Sequence, residues 1–158
     1  MPDGKNSGDL PKLVLTRVFA VPRALVFKAW TDPKHMARWW GPKGFTTPVC
    51  EMDVRPGGAI RIVMRGPDGV DHPMTGTFRD VVPPERLVLV CYAKPDEDGN
   101  PQLEVVNTAT FAERAGKTTL TVQAVVVKAG PGTEFALAGM EPGWTQSLDR
   151  LGKLVVKL

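Results

Sequence analysis

The chain is poor in the residue types that most often carry chemistry. It has two cysteines, Cys50 and Cys91, two histidines, His35 and His72, and one tyrosine. Two cysteines far apart in the chain give neither a metal-ligand spacing nor a disulfide framework. Each falls in a strand-like run, where a cysteine reads as a small core residue. His35 lies on a short helix with a polar face and His72 opens a strand beside a turn. Both read as exposed or locally bonded side chains, so no metal and no cofactor are expected. No G-x-G-x-x-G, P-loop, G-x-S-x-G or H-E-x-x-H run occurs, and no catalytic residue is nominated. No apolar run approaches the length of a membrane span, and the opening MPDGKNSGDL lacks an apolar signal core. The expectation is a soluble, cytoplasmic protein with no membrane insertion. The net charge is +3, and its Lys and Arg residues are scattered rather than run together, which argues against a nucleic-acid partner.

What is present is ordinary globular patterning in 158 residues, enough for one domain with a sizeable core. Residues 1–11 read as a flexible tail and 12–158 as a single domain. Leu13 to Val21 read as a first strand. Pro22 opens a short helix to Trp30, and Asp32 caps a second, with Pro33 at its first position and Gly41-Pro42 at its end. From Phe45 the hydrophobic period becomes two. Strands are predicted over 45–55, 59–65, 72–82, 86–93, 103–113 and 117–128. The turns between them carry their own chemistry. Arg55-Pro56-Gly57-Gly58 suits a type II turn, Gly66-Pro67-Asp68-Gly69 a hairpin, and Ala115-Gly116-Lys117 a tight reversal. Asp53 is read as bonding its turn, and Glu85-Arg86 as a surface pair.

The last stretch, MEPGWTQSLDRLGKLVVKL over 140–158, reads as a long amphipathic helix. Trp144, Leu148, Leu151, Val155 and Leu158 form one apolar stripe. Gly143 and Gly152 each weaken such a helix by about 1 kcal/mol against Ala, so it needs an apolar surface to lie on. The strands offer one. Ile60, Ile62 and Met64, and Leu120, Val122 and Ala124, alternate with residues that should face away. The expected fold is α+β: an antiparallel sheet covered on one face by the C-terminal helix, with two short helices after the first strand.

Six short motifs in this order resemble a known family. They are Arg17-Val18-Phe19-Ala20-Val21-Pro22, Ala29-Trp30-Thr31-Asp32-Pro33, Arg38-Trp39-Trp40-Gly41-Pro42, Asp53 to Gly58, Gly76 to Asp80, and Pro83 to Leu87, with Gly143-Trp144 and Leu148-Asp149-Arg150-Leu151 closing the pattern. The chain over 12–158 resembles the START-like, helix-grip superfamily (SRPBCC). Within it, the chain resembles the bacterial branch similar to the C-terminal domain of activators of the ninety-kilodalton heat-shock chaperone ATPase. That resemblance implies a curved sheet gripping the long helix with a cavity between them, and a small apolar molecule as the partner. It implies as alternatives a chaperone-interacting, stress-response module and a cavity enzyme of the cyclase or dehydratase kind. It carries no catalytic motif to transfer. The eukaryotic co-chaperones add a large N-terminal domain where this sequence shows a short tail, so no substantial stimulation of a chaperone ATPase is expected. A homodimer is left open.

The aromatic residues are where a cavity would show. Phe27, Trp30, Trp39, Phe78 and Trp144 read as plain core from the residues alone, or as the lining of a pocket if the resemblance holds. With them as candidate cavity residues go Met64, Asn107, Val122, Leu148 and Leu151. Trp144 is expected at the rim, with Gly143 before it leaving room, Leu148 and Leu151 forming the wall, and Phe78 and Met64 approaching from the sheet. Asn107 shares strand parity with Ala109 and Phe111 and should point inward, where its amide needs a partner from protein, water or ligand.

Overall fold

The structure, a computed structural model, describes residues 10–158. The elements are β1 (Lys12–Phe19), α1 (Arg23–Thr31), α2 (Pro33–Trp39), β2 (Thr46–Met52), β3 (Ala59–Arg65), β4 (Asp71–Val82), β5 (Arg86–Pro95), β6 (Pro101–Arg114), β7 (Lys117–Ala129), α3 (Glu134–Ala138) and α4 (Met140–Val155). The strands form one curved sheet in the order β1-β7-β6-β5-β4-β3-β2, every neighbouring pair antiparallel. The α+β class, the two short helices after β1 and the C-terminal helix all stand as the sequence predicts.

Local chemistry accounts for the boundaries. Asp32 Oδ1 accepts from the Lys34 N–H at 2.9 Å and Pro33 occupies the first turn of α2. The β6–β7 link is only Ala115-Gly116, both at positive φ, as a two-residue turn of the mirror type requires. β2 ends at Met52 rather than at 55, because Asp53 to Gly58 belong to the turn: Asp53 N–H reaches the Ala59 carbonyl at 2.9 Å and Gly58 N–H the Arg55 carbonyl at 2.8 Å. Arg86 pairs with Asp80 at 2.7 Å, not with its neighbour Glu85: Asp80 stands two residues along β4 from Val82, the register partner of Arg86, so the two side chains meet diagonally.

Three further expectations are corrected. Most of the tail predicted over 1–11 lies outside the described residues, but Leu10 packs on the sheet and the Pro11 carbonyl accepts from Val126 N–H at 3.0 Å, so these two belong to the fold. A short helix, α3, stands before the long one and was not legible in its five residues. Leu158 is exposed: α4 stops at Val155, so the stripe ends before reaching it, and Leu154 is buried instead.

The core on the helix-covered face of the sheet is divided. One cluster joins Phe19, Trp30, Met36, Trp39, Phe78, Leu89, Phe111, Leu120, Leu148 and Leu151 under α1, α2 and the C-terminal half of α4. A second joins Leu103, Val105, Ala124 and Val126 with Leu137 and Met140 at the other end, under α3 and the start of α4. Among the described residues no helix is long and apolar enough to cross a membrane.

Candidate functional site

Where the two clusters part, α4 presents Gly139, Gly143 and Ser147 at intervals of four, one small residue per turn on one face. No side chain from the helix fills the space below them. On the sheet the facing residues are also short: Cys91 and Ala93 on β5, and Asn107 on β6 opposite Ala124 of β7. The result is a cavity of about 410 Å³. Its wall draws on both clusters, with Trp40, Met74, Cys91 and Trp144 from one, and Ala93, Leu103, Val105, Ala136 and Met140 from the other. Met64, Phe45, Gly41 and Pro42 complete it from β3 and the α2–β2 loop. Phe135 of α3 contributes to the wall although it is 93% exposed, so it stands at the mouth.

That loop is tied to α4 by side chains. Ser147 Oγ accepts the Gly41 N–H at 3.1 Å. Arg150 donates to the Gly41, Pro42 and Arg38 carbonyls at 2.9, 3.2 and 3.0 Å. Gly41 has φ +112, and a Cβ there would lie 3.1 Å from Met64 Sδ, so both its backbone and its neighbour call for glycine.

The polar groups on the wall are few. Asn107 is 4% exposed; its Nδ2 donates to Cys91 Sγ at 3.3 Å and its Oδ1 finds no partner among the described residues. Burial pushes the Cys91 thiol up to about 12 against the opposing hydrogen bond from Asn107. Cys50 is pushed up to about 11 by burial and by the neighbouring Glu51 charge. Neither is a thiolate near neutrality, which removes both as nucleophiles. Asp71, at the wall's outer edge, is held below the usual carboxylate range by its hydrogen bonds to Arg65, at 2.7 and 3.2 Å. It stays ionised and is a poor proton donor at neutral pH. His72 packs against Phe45 with ring centres 5.9 Å apart. Among the described residues no three His, Cys, Asp or Glu side chains gather as a metal site would need.

Of the ten residues predicted to line a cavity, Met64, Asn107 and Trp144 stand on its wall. Phe27, Trp30, Trp39, Phe78, Val122, Leu148 and Leu151 do not. They fill the first core cluster, where Trp30 lies 4.9 Å from Trp39 and 5.9 Å from Phe111 between ring centres, leaving no gap between them. Trp144 stacks on Trp30 at 5.9 Å and meets Trp40 edge-on at 5.5 Å, and it also borders the cavity. The walls contributed by Met74, Cys91, Leu103, Val105 and Met140 escaped sequence reasoning. The signal that points to them is the spacing of Gly139, Gly143 and Ser147, a helix face with too little bulk to meet a sheet.

The geometry can now be set beside known proteins. A family model described as Activator of Hsp90 ATPase homolog 1-like protein matches residues 20–156. The chain belongs to that family. Solved structures agree. A protein from Chromobacterium violaceum is 29% identical, with 91% of this chain and 96% of that one covered and a TM-score of 0.78. One from Nitrosomonas europaea is 27% identical over 92% and 94%, with a TM-score of 0.76. The AHSA1 protein from Silicibacter pomeroyi is 26% identical over 94% and 100%, with a TM-score of 0.75. Among the curated proteins none matches. The family's helix-grip architecture is the sheet and C-terminal helix described above, and the shared fold leaves open what fills the cavity of this AHSA1-like chain.

Proposed function

We propose that this AHSA1-like protein binds a small, largely apolar molecule in the cavity between α4 and the sheet. One observation carries the reading: the core is interrupted where α4 turns Gly139, Gly143 and Ser147 toward short residues on β5 and β6. The cavity is open at its mouth, so its mostly apolar wall faces water, and an apolar ligand that covers the wall removes that surface from water at roughly 25 cal/mol per Å². About 410 Å³ lies within the range of small-molecule sites, which are mostly apolar with a few placed polar groups. On the wall, Cys91 is a buried neutral thiol and Asp71 is held by Arg65, which leaves neither suited to act as nucleophile or acid.

Gly143 supplies the test. A Cβ there would meet only Pro42 Cγ, at 3.9 Å, so a larger side chain has room to enter the cavity. Gly143→Leu should keep the fold, and gain up to about 1 kcal/mol from helix propensity. Its side chain takes the ligand's place, so affinity for 1-methoxynaphthalene, followed by titration calorimetry, should fall at least about tenfold, on the order of 1.4 kcal/mol. Unchanged affinity in the variant would refute the cavity reading.

A further inference from the structure

We infer that the molecule held in this cavity carries a hydrogen-bond donor, a hydroxyl or an N–H, which Asn107 Oδ1 receives. The inference rests on the proposed ligand-binding role and specifies the polar part of the ligand. Asn107 lies midway along β6, flanked on the same face by Val105 and Ala109, in register with Leu89 on β5 and Ala124 on β7. Every one of these neighbours is apolar, and all are buried. A valine or leucine would suit the position, yet an amide stands there with its carbonyl oxygen unpartnered. A buried amide oxygen without a partner is destabilising by about 1–3 kcal/mol, so something is expected to meet it.

Two features say where the partner comes from. Asn107 borders the cavity, and its one protein partner, Cys91, borders it too. The Cys91 contact engages Nδ2, which leaves the oxygen as the amide's unpartnered acceptor beside the cavity. At this position the polarity is specific: Asn107 Oδ1 accepts a hydrogen bond. A thiol can also donate, so the opposite amide orientation would leave Nδ2 free and favour an acceptor ligand instead. The experiment separates these two cases.

Three probes of similar shape suffice: 1-naphthol, which donates, 1-methoxynaphthalene, which only accepts, and naphthalene, which does neither. Titration calorimetry on the unsubstituted protein should rank 1-naphthol about tenfold tighter than 1-methoxynaphthalene, the factor expected of one buried hydrogen bond. The ether should bind no better than naphthalene. In Asn107→Leu, 1-naphthol should fall to within about twofold of the other two. Equal binding of the three probes to the unsubstituted protein would overturn the inference and leave the cavity reading standing. So would an ether that binds tightest, or a naphthol advantage that survives in Asn107→Leu. Failure of all three to bind would instead remove the cavity reading beneath it. Should Asn107→Leu not fold, the side-chain amide resonances of Asn107 decide in the unsubstituted protein. They should move further with 1-naphthol than the ring current of bound naphthalene alone moves them, and equal shifts with the two probes would refute the assignment.

Discussion

Trp144 shows how one residue serves two environments. One face of its ring stacks on the fully buried Trp30, and its edge meets Trp40, while the residue also borders the cavity. A wholly buried Trp replaced by Ala would cost about 3–5 kcal/mol. Trp144 is only partly buried, so Trp144→Ala should cost less, about 1–3 kcal/mol by urea melt, and also weaken 1-methoxynaphthalene binding per folded molecule. A loss of stability in the full-burial range with unchanged affinity would return the ring to the core alone. The thiols make a second residue-scale prediction. Burial raises Cys91 to about 12 and Cys50 to about 11 from an ordinary 9.0. Above pH 9 the unfolded chain loses these protons and the folded chain keeps them, so the unfolded state binds fewer protons and stability falls as pH rises. The stabilisation is full below pH 9 and fades toward 11–12. Thermal melts of the double variant Cys50→Ala, Cys91→Ala should show a shallower alkaline decline than the unsubstituted chain. Equal slopes would mean the thiols ionise freely when folded.

At the scale of the element, α4 is two helices in one. Its C-terminal half is a packing helix, with Leu148, Leu151, Leu154 and Val155 buried. Its N-terminal half borders the cavity, where Gly143 and Ser147 are too small to fill the gap to the sheet. Arg150 joins the two roles, because its three hydrogen bonds reach back to the loop that forms a wall of the cavity. Arg150→Met keeps much of the stem's packing and removes all three donors, leaving the Arg38, Gly41 and Pro42 carbonyls to find water. It should destabilise by about 1.5–3 kcal/mol, measured by urea denaturation. Arg150→Lys should recover only part of this, since an ammonium does not reproduce the guanidinium fork. Full recovery by lysine would show that charge alone holds the loop.

For the whole molecule, the sheet and the C-terminal helix depend on each other. The helix has two interior glycines and a half-polar surface, and the sheet has an apolar face with nothing else long enough to cover it. Deleting residues 140–158 removes Leu148, Leu151, Leu154 and Val155 from the larger core cluster. The shortened chain should lose its cooperative thermal transition and bind a hydrophobic dye, as uncovered cores do. A cooperative melt at an unchanged midpoint would show that the sheet and the first two helices stand by themselves.

The sequence by itself determined every element except α3, and the face most of them bury, because both follow from local rules: the change of period at Phe45, the Asp32-Pro33 cap, the glycines at turns, the stripe from Trp144 to Val155. It also marked Asn107 as an inward amide, from strand parity alone. Only the tertiary structure decided which inward residues touch one another and which face empty space. Trp30, Phe78 and Leu148 carry the same apolar signal as Met64 or Met74, and nothing in a one-dimensional pattern separates a side chain that meets a partner from one that does not. That distinction depends on how far α4 stands from β5 and β6 at each turn. The gap stays open because three small residues on one side face Cys91, Ala93 and Asn107 of β5 and β6 on the other, and these meet only when the chain is folded.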